Sequence, residues 1–270
     1  MENQSDSGAP PYGAPQAPIS QGEPARMGPL QRIFGVLFSP GETFADINRK
    51  PTLVSPIIVA MIMALIGTVV FSMRVKVDWE KMVRDRIRTQ VEKTGGSMPG
   101  EEQIQQQVNI TKMIGKLSPI LVVVGTPIYY VILAGIFALA LMIIQAKSTF
   151  KKIFSVVLWS GAATGIVGTI IVCASLMVRD TEGLDPSKPG AVSPTNLAAY
   201  LPTDIPKALA SIAGSLDVFT IWFLILLSIG FAAVAGSKRI NTSKAGTVVF
   251  GLWILWVFVK AGFAALGLGG

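Results

Sequence analysis

Five runs of apolar residues constrain this chain more than any other feature of its sequence. They cover residues 56–73, 119–144, 153–178, 216–235 and 247–266. Each is close to the roughly 20 residues that a helix needs to cross about 30 Å of hydrocarbon. Backbone amides in lipid must be satisfied within their own segment, and the runs lack the alternation of barrel strands. The sequence therefore predicts an all-α membrane protein with five transmembrane helices.

The composition supports this class and excludes much of enzymology. Hydrophobic residues make up 51% of the 270 residues and charged residues 14%, with a mean hydropathy of +0.56. The chain has no histidine and one cysteine, which excludes histidine general bases, histidine-ligated metals, disulfides and cysteine-cluster zinc sites. We predict no cofactor, no metal and no catalytic residue. An intramembrane enzyme ranks last among the function classes, because no paired carboxylates lie at membrane depth.

The N-terminal region divides into a tail and a membrane-surface element. Residues 1–27 are rich in Pro, Gly, Ser and Gln, which predicts a disordered tail, and residues 28–270 are assigned to one membrane domain. A short amphipathic helix in the membrane interface is expected next. Its apolar face comprises Leu30, Ile33, Phe34, Leu37 and Phe38, and Arg32 lies on another face.

A second short helix is expected to follow directly. Ser39 is its predicted N-cap, with Pro40 in the first helical position and Glu42 at the spacing of a capping box. Phe44 and Ile47 would point together toward lipid or toward the bundle. Phe44 is therefore a candidate contact for lipid or a partner, and the alternative is that it packs beneath the first span.

Residues 74–118 form the one large extramembrane insertion. Apolar residues recur at helical spacing on both sides of a glycine- and proline-containing break at residues 94–100; they are Val83, Ile87 and Val91, then Ile104 and Val108. This pattern predicts a hairpin of two amphipathic helices. The first of them could continue the opening span out of the membrane. A second loop, residues 179–206, is expected to be irregular.

The basic residues mostly flank the apolar runs, which indicates membrane topology rather than nucleic-acid binding. Residues 145–152 and 236–245 are short, contain only basic charges and lie against span ends, so we expect them on the cytoplasmic side together with the N-terminus. The total count of Lys and Arg on the other side is larger and opposes this choice. The expected location is the inner (cytoplasmic) membrane, or an endomembrane if the source is eukaryotic. Lys151 and Lys152 are candidate contacts for anionic lipid or a partner.

Two further features lie at membrane depth. Asp217 and Lys260 are placed at depths about 5 Å apart by the lengths of their helices, which suggests an intramembrane ion pair, an Asp acting as a helix cap, or a proton or cation site. Gly161, Gly165 and Gly168 form a stripe of small residues. Such a stripe favours close helix packing within the monomer, with a dimer surface or a substrate path as alternatives.

Three segments resemble bacterial members of the Yip domain family. They are FSPGETFADI at residues 38–47, STFKKIFSVV at residues 148–157 and LDVFTIW at residues 216–222, in the same order as the five spans. The resemblance covers roughly residues 30–266 and implies five spans with a cytosolic N-terminus. Eukaryotic relatives interact with Ypt/Rab GTPases in membrane traffic, and the resemblance transfers no catalytic residue.

The function expected from these features is that of a non-catalytic membrane scaffold or a protein that binds partners or lipid, related to membrane organisation or trafficking. Its expected partners are the lipid bilayer, other membrane proteins or a second copy of the chain, and not nucleic acid. The alternative is a small transporter or ion-conducting protein that uses Asp217 and Lys260.

Overall fold

A computed structural model describes residues 27–267 except 183, 185, 187, 189, 203 and 237–239, and excepting the side chain at 93. The predicted tail therefore lies outside the described residues, apart from Met27. The described part is all-helical. Its α-helices are α1 (Pro29–Phe38), α2 (Pro40–Arg49), α3 (Val54–Arg74), α4 (Trp79–Thr94), α5 (Glu101–Ile143), α6 (Phe150–Val178), α7 (Lys207–Ala213), α8 (Val218–Val234) and α9 (Thr242–Ala265), and a 3₁₀ helix covers Leu197–Tyr200.

The five apolar runs correspond to α3, α5, α6, α8 and α9. Four of these helices, all but α8, are long and apolar enough to cross a membrane. The fifth, α8, has 17 residues and a length of about 25 Å, close to the thickness of the hydrocarbon core. Only 11% of the most apolar window of α3 and of α5 is buried inside the protein. Lipid is the solvent that such outward apolar faces require, so the predicted fold class is confirmed.

Helix α6 is the central rod of the bundle. It contacts α1, α2, α3, α5 and α8, and every residue of its first half, from 153 to 164, is buried. Small side chains at Ser155, Ser160, Ala162 and Ala163 let neighbouring helices approach this half closely. The main hydrophobic core is therefore concentrated around the first half of α6.

Helices α1 and α2 cover one end of this core. The interfacial helix is present as α1, with Leu30, Phe34 and Phe38 exposed. Arg32, which the sequence pattern places on another face, is buried, as is Val36. Two residues of the predicted apolar face, Ile33 and Leu37, pack against the core. The helix therefore rests on the bundle through part of that face and turns Leu30, Phe34 and Phe38 outward.

For α2, the structure selects the bundle alternative for Phe44 and corrects the predicted N-terminal cap. Phe44 is completely buried in the core and does not offer a surface contact, because α2 packs against α8 and α6. The predicted capping box is absent, since the Ser39 side chain makes no capping hydrogen bond. Ser39 also ends α1 through its own amide, which donates to Gly35 O at 2.7 Å. The two helices follow each other so closely that one residue serves both ends.

The extramembrane hairpin forms as predicted, from α4 and the first part of α5. Val83 and Ile87 pack against Ile104 and Val108 in a separate small cluster, and Gly95 ends α4 in the left-handed conformation at φ 67°. The helix that continues into the membrane is different from the one expected. Residues 75–78 separate α3 from α4, whereas α5 runs unbroken for 43 residues, about 65 Å, from the hairpin through the second span.

Hydrogen bonds show which segments share an end of the bundle. At the first end, Asn48 Nδ2 donates to Ala233 O at 3.0 Å and Lys147 N donates to Ala235 O at 2.8 Å. We call this the platform end. At the other, the hairpin end, Thr181 Oγ1 donates to Arg74 O at 2.6 Å. The N-terminal helices thus share an end with the loops around residues 147 and 236, which is the grouping that the predicted topology requires.

Candidate functional site

A buried ion pair fastens α1 to α2 at the platform end. Arg32 Nε and Nη2 donate to Asp46 Oδ2 at 3.0 and 2.8 Å. The two side chains are 2% and 5% exposed. A buried charge is tolerated in a protein only when it is paired and hydrogen-bonded. This pair therefore holds the two helices in one fixed arrangement.

The same guanidinium connects the two N-terminal helices to the core. Arg32 Nη1 donates to Thr52 Oγ1 at 2.7 Å, and the Trp159 indole Nε1 donates to the same oxygen at 3.2 Å. Arg32 Cζ lies 5.9 Å from the centroid of the Trp159 ring, within the range of a cation–π contact. Ser155 Oγ donates to Thr52 O at 2.9 Å. The network joins α1, α2, the link to α3, and α6.

Sequence reasoning missed this network because it placed Arg32 on another face of the interfacial helix without a partner. A usable signal lies in α2, where Asp46 shares a helical face with Thr43 and Ile47. A carboxylate on a buried face needs a cationic partner. Arg32 is on the adjacent helix and one turn from Val36, which is also buried.

The outward surface of the platform end is strongly basic. Exposed cations surround α1 and α2, whereas Asp46 is buried against Arg32 and Glu42 is the exposed acid of α2; the described cations are Arg49, Lys50, Lys147, Lys151 and Lys244, with Lys152 half-buried. Residues 238 and 239 also carry basic side chains but lie outside the described residues. We call these six described cations the basic rim.

Lys151 and Lys152 occupy a special position in the rim. They lie in the first turn of α6, which contains no acidic residue. The N-terminus of a helix carries a partial positive charge, so the two ammonium groups add to the potential of the dipole instead of compensating it. An anion bound here would relieve that repulsion.

The second candidate site is a cleft of about 1050 Å³ that begins at the hairpin end, between α3, α5, α6 and α8. A smaller cleft of about 520 Å³ shares much of its lining, including Tyr130 and Gly165, so the two are parts of one groove. Both are open to the surroundings of the bundle. The combined lining is mostly apolar, and Lys116 is the charged side chain among the described residues that line it.

The three glycines of α6 all line this cleft. A Cβ on Gly161 would overlap the Tyr130 ring, and one on Gly168 would lie 3.5 Å from the Phe219 ring. A Cβ on Gly165 would meet nothing within 4 Å. Two of the glycines thus admit aromatic side chains of neighbouring helices, and the one between them leaves open space.

Asp217 and Lys260 do not form the predicted ion pair. Asp217 Oδ1 accepts from Phe219 N at 2.8 Å as the N-cap of α8, and its Oδ2 accepts from Ser193 Oγ and Thr195 Oγ1, both at 2.9 Å. Lys260 Nζ instead donates to Ser215 Oγ at 3.0 Å. The segment before α8 folds over the helix start and satisfies the carboxylate locally, so the helix-cap alternative is the correct one.

A bundle of apolar helices with lipid-facing side chains, capped by a surface helix at one end and an extramembrane hairpin at the other, defines a multi-pass helical membrane protein. The chain belongs to the Yip1 domain family, whose model matches residues 34–267, as the sequence motifs indicated. It is similar to "Membrane protein YknW" of Bacillus subtilis (strain 168), at 24% identity over 224 residues that cover 83% of this chain and 87% of that protein. No solved structure matches the chain.

Proposed function

We propose that this protein is a non-catalytic scaffold of the cytoplasmic membrane, which binds an acidic segment of a partner membrane protein on its basic rim. The rim faces the cytoplasm in this proposal, together with the N-terminus. A role in membrane organisation follows from such a function, because binding at the rim would localise the partner beside the bundle.

The observation that carries this proposal is the rigid mounting of a positively charged surface. Asp46 is buried against Arg32, and Glu42 is the exposed acid of α2 beside the basic rim. Lys151 and Lys152 add their charge to the N-terminus of α6. Electrostatic complementarity of this kind selects partners and speeds their association. A preorganised surface also binds with less loss of conformational entropy.

The topology of the chain agrees with a cytoplasmic rim. Lys147 lies in the loop before α6 and Lys244 in the first turn of α9, at the same end as α1 and α2. Short basic segments against span ends are the ones that remain in the cytoplasm. A reporter fused after Met1, active only in the cytoplasm, tests this orientation. Activity of the reporter supports the orientation, and its absence refutes it.

The test of partner binding is a charge reversal in the rim. The double variant Lys151→Glu/Lys152→Glu is compared with wild type by crosslinking in native membranes, purification and identification of the proteins that come along. The matched control, Lys76→Glu/Lys112→Glu, makes the same change in charge at the hairpin end, where both lysines are exposed. We expect the rim variant to lose the partner at least several-fold and the control to retain it.

A second measurement separates a protein partner from lipid headgroups. Purified wild type and rim variant are reconstituted in vesicles with and without anionic lipid, and their orientation and retention are compared. Equal recovery of crosslinked proteins from the rim variant and from wild type would overturn the proposal. The proposal would also be overturned if the rim variant differed from wild type in anionic vesicles but recovered the same crosslinked proteins.

Asp217 and Lys260, the two residues that suggested a transporter, have structural partners. Asp217 is satisfied by one amide and two hydroxyls, and Lys260 bonds to Ser215, so these groups serve the fold at the hairpin end. Liposome flux of wild type and Asp217→Asn tests this directly. We expect no flux from either, and a flux that wild type shows and the variant lacks would restore the alternative.

A further inference from the structure

The cleft between α3, α5, α6 and α8 must be filled when the protein lies in a membrane. Its described lining is mostly apolar and includes Met63, Phe71 and Val122. A void with such walls loses dispersion contacts on its open side. Because the cleft is open to the surroundings of the bundle and is walled by α3 and α5, which turn apolar faces outward, an amphiphile can enter it from the bilayer.

The depth of the cleft matches one leaflet. It extends along α5 from Lys116 to Tyr130, a span of 14 residues or about 21 Å. Half of a bilayer, including its headgroup region, is also about 20–22 Å thick. A transmembrane helix of a partner would need a groove over the whole hydrocarbon core. The depth therefore favours a single lipid of one leaflet over a partner helix.

The charged side chain of the described lining, Lys116, lies where a headgroup would be. Lys116 and Ser118 are at the end next to the hairpin, and no carboxylate is among the described lining residues. Trp79 marks the same level, since a Cβ on Gly115 would lie 2.6 Å from its ring, and tryptophan side chains favour the membrane–water interface. Asp78, which precedes Trp79, accepts from Lys81 N as the N-cap of α4.

We propose that this cleft is a binding site for an anionic phospholipid, with the phosphate at Lys116 and Ser118 and an acyl chain along the glycine-lined wall of α6. Gly165 provides the space, because a Cβ there would meet nothing within 4 Å. The volume of about 1050 Å³ is at the upper end of the range for small-ligand pockets, which fits a lipid chain. This site is independent of the basic rim, which lies at the opposite end.

Native mass spectrometry of the full chain, released from detergent with phosphatidylglycerol or phosphatidylcholine, tests the site. The cleft-filling variant is Gly165→Leu, and Gly135→Leu is its matched control, since Gly135 also has open space around it and does not line the cleft. We expect Gly165→Leu to lose bound lipid at least fivefold and the control to bind like wild type. Lys116→Glu should lose the preference for phosphatidylglycerol and retain residual binding of phosphatidylcholine.

A second cleft-filling variant keeps the test decisive if Gly165→Leu does not fold. Gly125→Leu blocks the smaller part of the groove from α5, where there is also open space, and it should reduce lipid binding in the same direction. Equal lipid binding by Gly165→Leu, Gly125→Leu and Gly135→Leu would overturn the proposal. An unchanged headgroup preference in Lys116→Glu, or a co-purified protein that is crosslinked at position 165 in place of lipid, would do the same.

Discussion

Glycines have opposite roles in two regions of the bundle. At the platform end, a Cβ on Gly230 would overlap Val156 and lie 3.2 Å from Phe44, whereas at the cleft a Cβ on Gly165 meets only open space. Residues 153–164 of α6 are all buried, but beyond residue 164 only Leu176 is buried among the residues of this helix. One helix is thus a core element over half of its length and a wall of an open groove over the rest.

The difference follows from what covers each end. Helices α1 and α2 lie across the platform end and contact α6 and α8, so they complete a core there. At the hairpin end, α4 packs on the extramembrane part of α5, and an open cleft remains between α3, α5, α6 and α8. A membrane bundle can leave such a cleft open because lipid replaces the missing helix. The platform end is therefore a packed, rigid region, whereas the cleft is a surface available to ligands.

The largest expected effect is a loss of stability at the platform end. Arg32→Ala leaves the Asp46 carboxylate buried without its cation and should lower the free energy of unfolding by about 3–5 kcal/mol. The measurement is an SDS titration of the purified protein in mixed micelles. Arg84→Ala is the control, since its pairs with Glu80 and Glu101 are exposed, and it should leave the midpoint nearly unchanged. Equal midpoints for the two variants would contradict the buried network.

A pair of glycine substitutions sharpens the contrast between the ends. Gly230→Ala overpacks the contact with Val156 and should destabilise the protein by about 1–3 kcal/mol. Gly165→Ala enters open space and should leave stability unchanged or raise it by up to about 1 kcal/mol, because alanine favours a helix more than glycine does. The same titration measures both. A destabilising Gly165→Ala would show that the cleft is closed in the membrane.

A smaller effect tests the role of Asp217. Asp217→Ala removes the N-cap of α8 and should cost about 0.5–2 kcal/mol. Asp217→Asn retains an acceptor for Phe219 N and should cost less. Thermal unfolding of both variants in detergent measures the difference. An equal loss in the two variants would show that the charge, and not the cap, stabilises this segment.

The smallest effect concerns the hairpin, which should respond to acid. The hydrogen bonds from Arg84, and then from Gln105, lower the pKa of Glu101 below its usual value. Since the folded-state pKa is lowered, the contribution to stability is present above the usual glutamate pKa of about 4.3 and is lost as the pH falls through the lowered value. Hydrogen exchange of residues 79–108, corrected for the intrinsic rate, should show weaker protection at low pH.

A variant without the titrating group provides the reference for that experiment. Glu101→Gln should have reduced protection at neutral pH and a flatter dependence on pH, while α8 and α9 behave as in wild type. A pH dependence that persists unchanged in Glu101→Gln would assign it to other carboxylates of the hairpin.

Sequence patterns predicted the elements of the candidate sites better than their contacts. The interfacial helix, the hairpin and the position of the α6 glycines follow from local spacing, and all three are present. The burial of Phe44 and the pairing of Arg32 with Asp46 do not follow from it. They depend on where α2 docks on α6 and α8, which is a contact between segments more than 100 residues apart, as in the bond between Asn48 and Ala233.

By itself, the sequence determined that the chain is a helical membrane protein of the Yip1 domain family, with an extramembrane hairpin. These properties depend on length, local periodicity and the need of each segment to satisfy its own backbone in lipid. Only the tertiary structure decided which faces are core, which wall the cleft and how Asp217 is satisfied. The reason is that lipid and a neighbouring helix are equally apolar solvents for a leucine, so hydrophobicity alone does not tell a buried face from a lipid-facing one.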